Sequence, residues 1–288
     1  MRIALATCLS KPEPDPDEAP LLKELRSLGA DARMLAWDDP AADPGEFDLC
    51  VIRSTWNYIH HLPAFLVWAR RASRRTRLLN RFETVRWNCD KKYLRELAAA
   101  GIPTVPTAFY PRGGKRRLAD VLSGRGWTDV VLKPRVGAAS LMTRRFKDGR
   151  SPAAERFLRQ ASAERGMMIQ PYVASVETSG ERSLIFIAGR LSHAVRKEPR
   201  LSGGHEVVTR RLALAPDERR FALFALRRFR KDLLYARVDM VRDGGGKLML
   251  MELELIEPSL FLTQSPEALR RFALACFKAC RRGAPRNG

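Results

Sequence analysis

The chain has 288 residues, 45% of them hydrophobic and 29% charged, enough for two compact domains or three small ones without disulfides or metals to hold the fold. That balance excludes a disordered or fibrous chain, and no apolar run reaches the ~18 residues of a membrane helix. A cytoplasmic protein with its five scattered cysteines reduced is expected, with no membrane partner. Fifty-two basic against 32 acidic residues leave a formal charge of +20, which points to anionic partners, nucleic acid or a phosphorylated small molecule. The arginine pairs at 70–71, 74–75, 219–220, 227–228 and 281–282 are interleaved with apolar positions such as Phe221, Phe224 and Phe229. Such patterns read as solvated faces of amphipathic helices in preference to a nucleic-acid groove.

The first ninety residues alternate strand and helix. Apolar runs at Arg2 to Thr7, Ala32 to Trp37 and Phe47 to Arg53 predict strands, and Ala19 to Leu28, closed by Gly29, predicts a helix. This is a βαβ pattern and implies a parallel sheet. Ligands of such sheets collect beyond the carboxyl ends of the strands, where Ser10 to Asp17 and Arg53 through Ser54, Thr55, Trp56, Asn57 and Tyr58 fall. Arg53, Ser54 and Thr55 are candidate substrate residues; for Trp56 and Tyr58, capping the sheet edge stands as an equal reading. Asp90 to Ala100 reads as a helix closed by Gly101, and Pro103 and Pro106 make the next segment extended. After Gly126 short apolar strands follow at Val130 to Leu132 and Met167 to Ile169. One hairpin turns about Ala188-Gly189 and a second at Asp243 to Gly246. This half reads as α+β and antiparallel.

The second hairpin carries chemistry. A four-residue turn pairs Arg242 with Lys247 and sets Asp239 opposite Leu250 and Arg237 opposite Glu252. Alternation then puts Arg237, Asp239, Glu252 and Glu254 on one face and Val238, Leu253 and Leu255 on the other. Carboxylates so close repel unless a cation joins them, and hard oxygen ligands suit Mg²⁺ shared with substrate phosphates. A solvated face laced by Arg237 is the plainer alternative. Lys133 ends an apolar strand before Pro134 and the small-residue stretch Gly137-Ala138-Ala139-Ser140, a loop able to close over phosphates. Lys91 opens the helix after Asp90. Neither lysine sits in the phosphate-binding loop of the common NTPases.

In order, Asp90-Lys91, Val131-Leu132-Lys133-Pro134, Ile169-Gln170-Pro171-Tyr172, Gly180-Glu181-Arg182, Arg237-Val238-Asp239 and Glu252-Leu253-Glu254 together resemble the ATP-grasp superfamily along the whole chain. The likeness is to its glutathione-synthetase-like group, and most nearly to the cyclo-ligases of cycloserine biosynthesis, which close O-ureido-serine into a ring with ATP. The resemblance implies a Rossmann-like domain over residues 1–88, a small ATP-grasp region over 89–166 and a C-terminal ATP-grasp region with the metal site over 167–288. It implies that Lys91 and Lys133 bind ATP phosphates, that Gln170, Pro171, Tyr172 and Val173 form the adenine hinge and that Glu181 holds the ribose. Asp239, Glu252 and Glu254 would bind one or two Mg²⁺ ions, with Arg237 and Lys133 as catalytic groups. The expected reaction is phosphorylation of a carboxyl or ureido oxygen of a small amino-acid-like substrate, followed by C–N bond formation.

Three features depart from the group: one glycine in the phosphate loop, Glu254 where many members carry Asn, and Gln170 at a hinge position that is often acidic. His193 and Lys197 share a strand face beside the expected cleft; substrate binding and a solvated edge stand equally for them. The four histidines, at 60, 61, 193 and 205, support no Ser-His-Asp arrangement. A basic nucleic-acid-binding protein and a peptide-tailoring module remain alternatives, and a homo-oligomer stays open.

Overall fold

A computed structural model describes residues 1–138, 140–198, 207–208, 212–229 and 233–283. Ala139 of the small-residue loop and His205 lie outside them. The first unit is a parallel sheet of β1 (Arg2–Thr7), β2 (Asp31–Ala36), β3 (Leu49–Ser54) and β4 (Arg77–Leu79), in the order β2-β1-β3-β4. Helix α1 (Glu18–Ser27) buries Leu21 and Leu25 on one face. Helix α2 (Leu62–Arg75) covers the other with Phe65, Trp68 and Ala72. Both surfaces of a parallel sheet must be covered, and the near-continuous apolar run of β3 reflects that.

After α3 (Phe82–Asn88), helix α4 spans Tyr93–Ala99, so the helix expected from Asp90 begins three residues late. Asp90 closes the turn before it instead: its carboxylate accepts from the Lys92 amide and its carbonyl from the Tyr93 amide. The Lys91 amide donates to Arg135 O at 3.0 Å, and this binds the turn to the loop that follows Lys133.

A middle antiparallel sheet holds β5 (Ala108–Tyr110), β6 (Val130–Pro134), β7 (Arg144–Phe146) and β8 (Met167–Pro171), in the order β5-β8-β6-β7, backed by α5 (Leu118–Leu122) and α6 (Pro152–Glu164). Because β8 lies inside this sheet, a division by sheets falls after Pro171 and not at residue 166. Past α7 (Ser175–Thr178) comes a third sheet of β9 (Glu181–Ile187), β10 (Arg190–Lys197), β11 (Tyr235–Arg242) and β12 (Leu248–Glu254), all antiparallel in the order β10-β9-β11-β12. Helix α8 (Pro216–Ala225) buries Ala222 and Ala225 against it. The final helix, α9 (Pro266–Gly283), returns to the first unit and packs Phe272 and Cys276 into the core shared by α1, β1 and β3.

The β9–β10 turn is the expected Ala188-Gly189, with φ of +49° and +73°, as a type I′ hairpin requires. The β11–β12 register differs from the expectation. Asp243 closes a longer turn, accepting from the amides of Gly245 and Lys247, so Arg242 pairs with Leu248. A bulge then sets Asp239 opposite Glu252 and Arg237 opposite Glu254. Beyond the bulge the pairing is shifted by two residues, and that even shift leaves Arg237, Asp239, Glu252 and Glu254 on their expected face; before it the shift is one, so Leu250, expected opposite Asp239, joins the core beside Met240.

Candidate active site

The cleft lies between the middle and third sheets. From below, the third sheet presents Glu181 of β9, Lys197 of β10, Arg237 of β11 and Glu252 and Glu254 of β12; from above, the middle sheet presents Lys133, Gln170 and Pro171, followed by Tyr172 and Val173. Lys91 enters from the turn before α4. Gly137, Ala138, Ser140 and Leu141 line the same space. Ser140 and Met142 adopt φ of +56° and +53°, so this glycine-poor loop holds left-handed conformations that side chains disfavour.

The charges form one network. Lys133 Nζ donates to Glu252 Oε1 at 2.7 Å, and Lys91 Nζ lies 3.4 Å from Glu252 Oε2 while donating to Gly137 O at 2.7 Å. Burial disfavours the Glu252 charge, but the two lysines outweigh it and lower its pKa to about 2. Asp239 is fully buried. It accepts from Ser183 Oγ at 2.6 Å, from Lys197 Nζ at 2.7 Å and from the Arg237 guanidinium at 3.0–3.1 Å. Burial opposes its ionisation too, and Arg237 and Lys197 hold it well below the usual carboxylate range. Arg237 also donates to Glu254 Oε1 and to Ser259 O. Glu254 and Glu181 go the other way: burial, with Asp239 nearby, raises each to about 7 against the pull of Arg237 on Glu254 and of Lys197 on Glu181.

All the expected ATP residues thus meet in one cleft, with Lys197. Of the three carboxylates expected for magnesium, Glu252 and Glu254 face it, and Asp239 lies beneath as the anchor of Arg237 and Lys197. Among the described residues no three His, Cys, Asp or Glu side chains gather as a ready-made cation cage. The donor set still suits Mg²⁺, which takes one or two carboxylates and completes its shell with phosphates and water. Glu254, raised to about 7 although it shares the Arg237 guanidinium, would gain from added positive charge.

The remaining substrate expectations need correction. Arg53 is buried at 1% exposure, donating to Pro258 O at 3.2 Å and to Asp15 at 3.4 Å. Ser54 Oγ donates to Thr7 Oγ1 and bonds Glu18, and Thr55 is fully buried. The strand ends are therefore filled by their own side chains and do not line the cleft. His193 is also buried and contacts Leu260 O at 3.0 Å. The first unit instead reaches the cleft through Glu13, Trp56 and Tyr58. These three lie in the loops expected to meet ligand, whereas sequence reasoning missed Glu257, which lines the cleft beside Tyr58. Burial and the Glu254 charge raise it to about 8, and the Tyr58 hydroxyl bonds it. The run Glu252, Glu254, Glu257 held the signal; the turn after β12 had hidden where the third carboxylate points.

Residues 3–80 match the family described as the N-terminal domain of D-cycloserine synthetase DcsG. The cycloserine biosynthesis protein DcsG of Streptomyces lavendulae is 35% identical over 277 residues, which cover 91% of this chain and 93% of that protein. The chain belongs to the D-cycloserine synthetase family of ATP-grasp ligases. The crystal structure of D-cycloserine synthetase DcsG superposes with a TM-score of 0.87 at 33% identity, covering 99% of this chain and 100% of that one. The ATP-grasp ligase PsnB, complexed with minimal precursor, Mg and ADP, superposes at 0.64 and 15% identity over 97% of both chains, a likeness of fold. This member of the D-cycloserine synthetase family therefore has the ATP-grasp fold and is an ATP-dependent ligase of the C–N bond-forming class. No helix among its described residues is long and apolar enough to cross a membrane.

Proposed function

We propose that this ligase uses Mg·ATP to activate a carboxyl or ureido oxygen of a small amino-acid-like substrate, whose own nitrogen then closes a ring. The observation that carries the reading is the cleft in which Lys91, Lys133 and Arg237 converge on Glu252 and Glu254. In this reading Lys91 and Lys133 exchange Glu252 for ATP phosphate oxygens. Gln170 to Val173 border the adenine and Glu181 meets the ribose. Glu252 and Glu254 would hold Mg²⁺, which when bound supplies Lewis-acid neutralisation of phosphate charge.

Arg237, locked by Asp239 and Ser259, presents fixed positive charge to the transferring phosphoryl group and the activated oxygen. Charge fixed before the reaction needs no reorganisation during it. Glu257, Tyr58 and Glu13 line the end nearest the first unit, where acceptors suit the N–H groups of an amino acid or ureido substrate. Glu257, its pKa raised to about 8, can in its ionised form also take a proton from the attacking nitrogen. The relative's name, a cycloserine biosynthesis protein, favours a cyclic product over a linear one.

Lys133→Ala and Glu252→Gln should each lower ADP release, in the presence of O-ureido-serine, by at least about 10²-fold with unchanged far-UV circular dichroism. Wild-type turnover in both variants overturns the reading of the site. Mass spectrometry of the wild-type product separates ring closure from linear ligation.

A further inference from the structure

A second groove lies on the outer side of the middle sheet, apart from the ATP cleft, and nothing in the reaction uses it. It runs between α4, β5 and the loop at 111–117, with an accessible volume of about 640 Å³, within the ~300–1,000 Å³ of small-ligand sites. Four cations border it, Arg95, Lys115, Arg116 and Arg125, and no carboxylate does. None of the four is ion-paired among the described residues.

Three of the four cations are held in place. The Arg95 guanidinium stacks on Phe109 at 4.8 Å. Arg116 donates to Asp120 O and Arg125 to Val121 O, each at 2.6 Å. The loop that carries Lys115 and Arg116 is clamped as well. The Tyr110 hydroxyl bonds the carbonyls of Gly114 and Arg116. Arg159 bonds those of Gly114 and Lys115, and the Gly113 amide donates to Ser162 O. A Cβ on Gly114 would meet the Tyr110 ring at 2.4 Å, so the loop can lie this close only with glycine there. Like charges fixed around one concavity repel, and an anion relieves the repulsion.

We infer that this groove binds a small molecule carrying two or more phosphoryl groups. Its volume is that of a discrete small-ligand site. The site is independent of the proposed reaction.

The test is calorimetric titration of pyrophosphate, without magnesium, into wild type, a cleft variant (Lys91→Ala with Lys133→Ala) and a groove variant (Lys115→Gln with Arg116→Gln). Binding should persist in the cleft variant. In the groove variant the Kd should rise at least about tenfold, as expected for lost charge-assisted bonds. Arg95→Gln provides a second groove variant on a different element, and circular dichroism verifies that each is folded. Binding lost in the cleft variant, or unchanged in both groove variants, overturns the proposal. So does a twelve-nucleotide single strand that binds the groove when pyrophosphate does not.

Discussion

Arg237 is 4% exposed and shares its guanidinium among Asp239, Glu254 and the carbonyl of Ser259. A planar fork holds its three partners in fixed directions; an ammonium has three donors too, but its flexible stem does not fix them. Arg237→Lys keeps the charge that Asp239 requires, so the protein should fold, but the charge is no longer fixed toward the cleft. The expected result is a fall in kcat of about 10²-fold, with KM for ATP changed less, read from steady-state ADP release. An unchanged kcat would assign Arg237 to holding Asp239 alone. Lys133 and Lys91 differ from it, since their carboxylate partner Glu252 faces the cleft and is open to exchange.

At the scale of elements, β12 is an edge strand, and its outer edge is satisfied by a segment far away in sequence. Leu250 exchanges backbone bonds with Pro103 and Val105, and the Leu253 amide donates to the Tyr93 hydroxyl. Asn88 acts as a further stretch of strand: Nδ2 donates to Leu253 O and Oδ1 accepts from Leu255 N, both at 2.8 Å. Unpaired edge groups buried here would cost stability. Asn88→Ala leaves two buried backbone groups without partners and should destabilise by about 2–4 kcal/mol, measured by urea unfolding. A loss below the error of the fit would mean that water replaces the amide. The same stitching fixes the turn at Lys91 beside Glu252, so the variant should also weaken ATP binding.

At the scale of the molecule, the cleft gathers more buried carboxylate than its cations neutralise. Glu257 is raised to about 8, and Glu254 and Glu181 to about 7, from an ordinary 4.5. A carboxyl raised in the folded state binds its proton more tightly there, so its contribution is present at low pH and lost as pH rises through the folded value. Glu252, lowered to about 2, works in the opposite sense only below its ordinary 4.5. Between about pH 4.5 and 8, then, the ligand-free protein should lose stability through Glu257, Glu254 and Glu181. Glu257→Gln cannot ionise, so its Tm relative to wild type should rise steadily across that range; parallel curves would sink the assignment. This excess charge suits a site built to receive a cation with its substrate.

Local pattern decided a good deal. Period-two alternation put Arg237, Asp239, Glu252 and Glu254 on one face, and that assignment survived a two-residue register change because the strand period is two. Lys133 was legible because it ends a short apolar strand, where side chains meet a cleft; Gln170 and Glu181 were placed only by the resemblance to the ATP-grasp superfamily. Tertiary structure decided the rest. Whether Arg53 faces ligand or core depends on α9 and on Pro258, more than 200 residues away, and Ser54 is turned inward by Thr7 and Glu18 of other elements; no local pattern encodes that packing. Glu257 follows a bend after β12, where strand periodicity no longer fixes direction. The separation of Asp239 from Glu252 and Glu254 was likewise beyond the sequence. It depends on which cation reaches which carboxylate first, and that is set by β9, β10 and the Lys91 turn meeting in three dimensions.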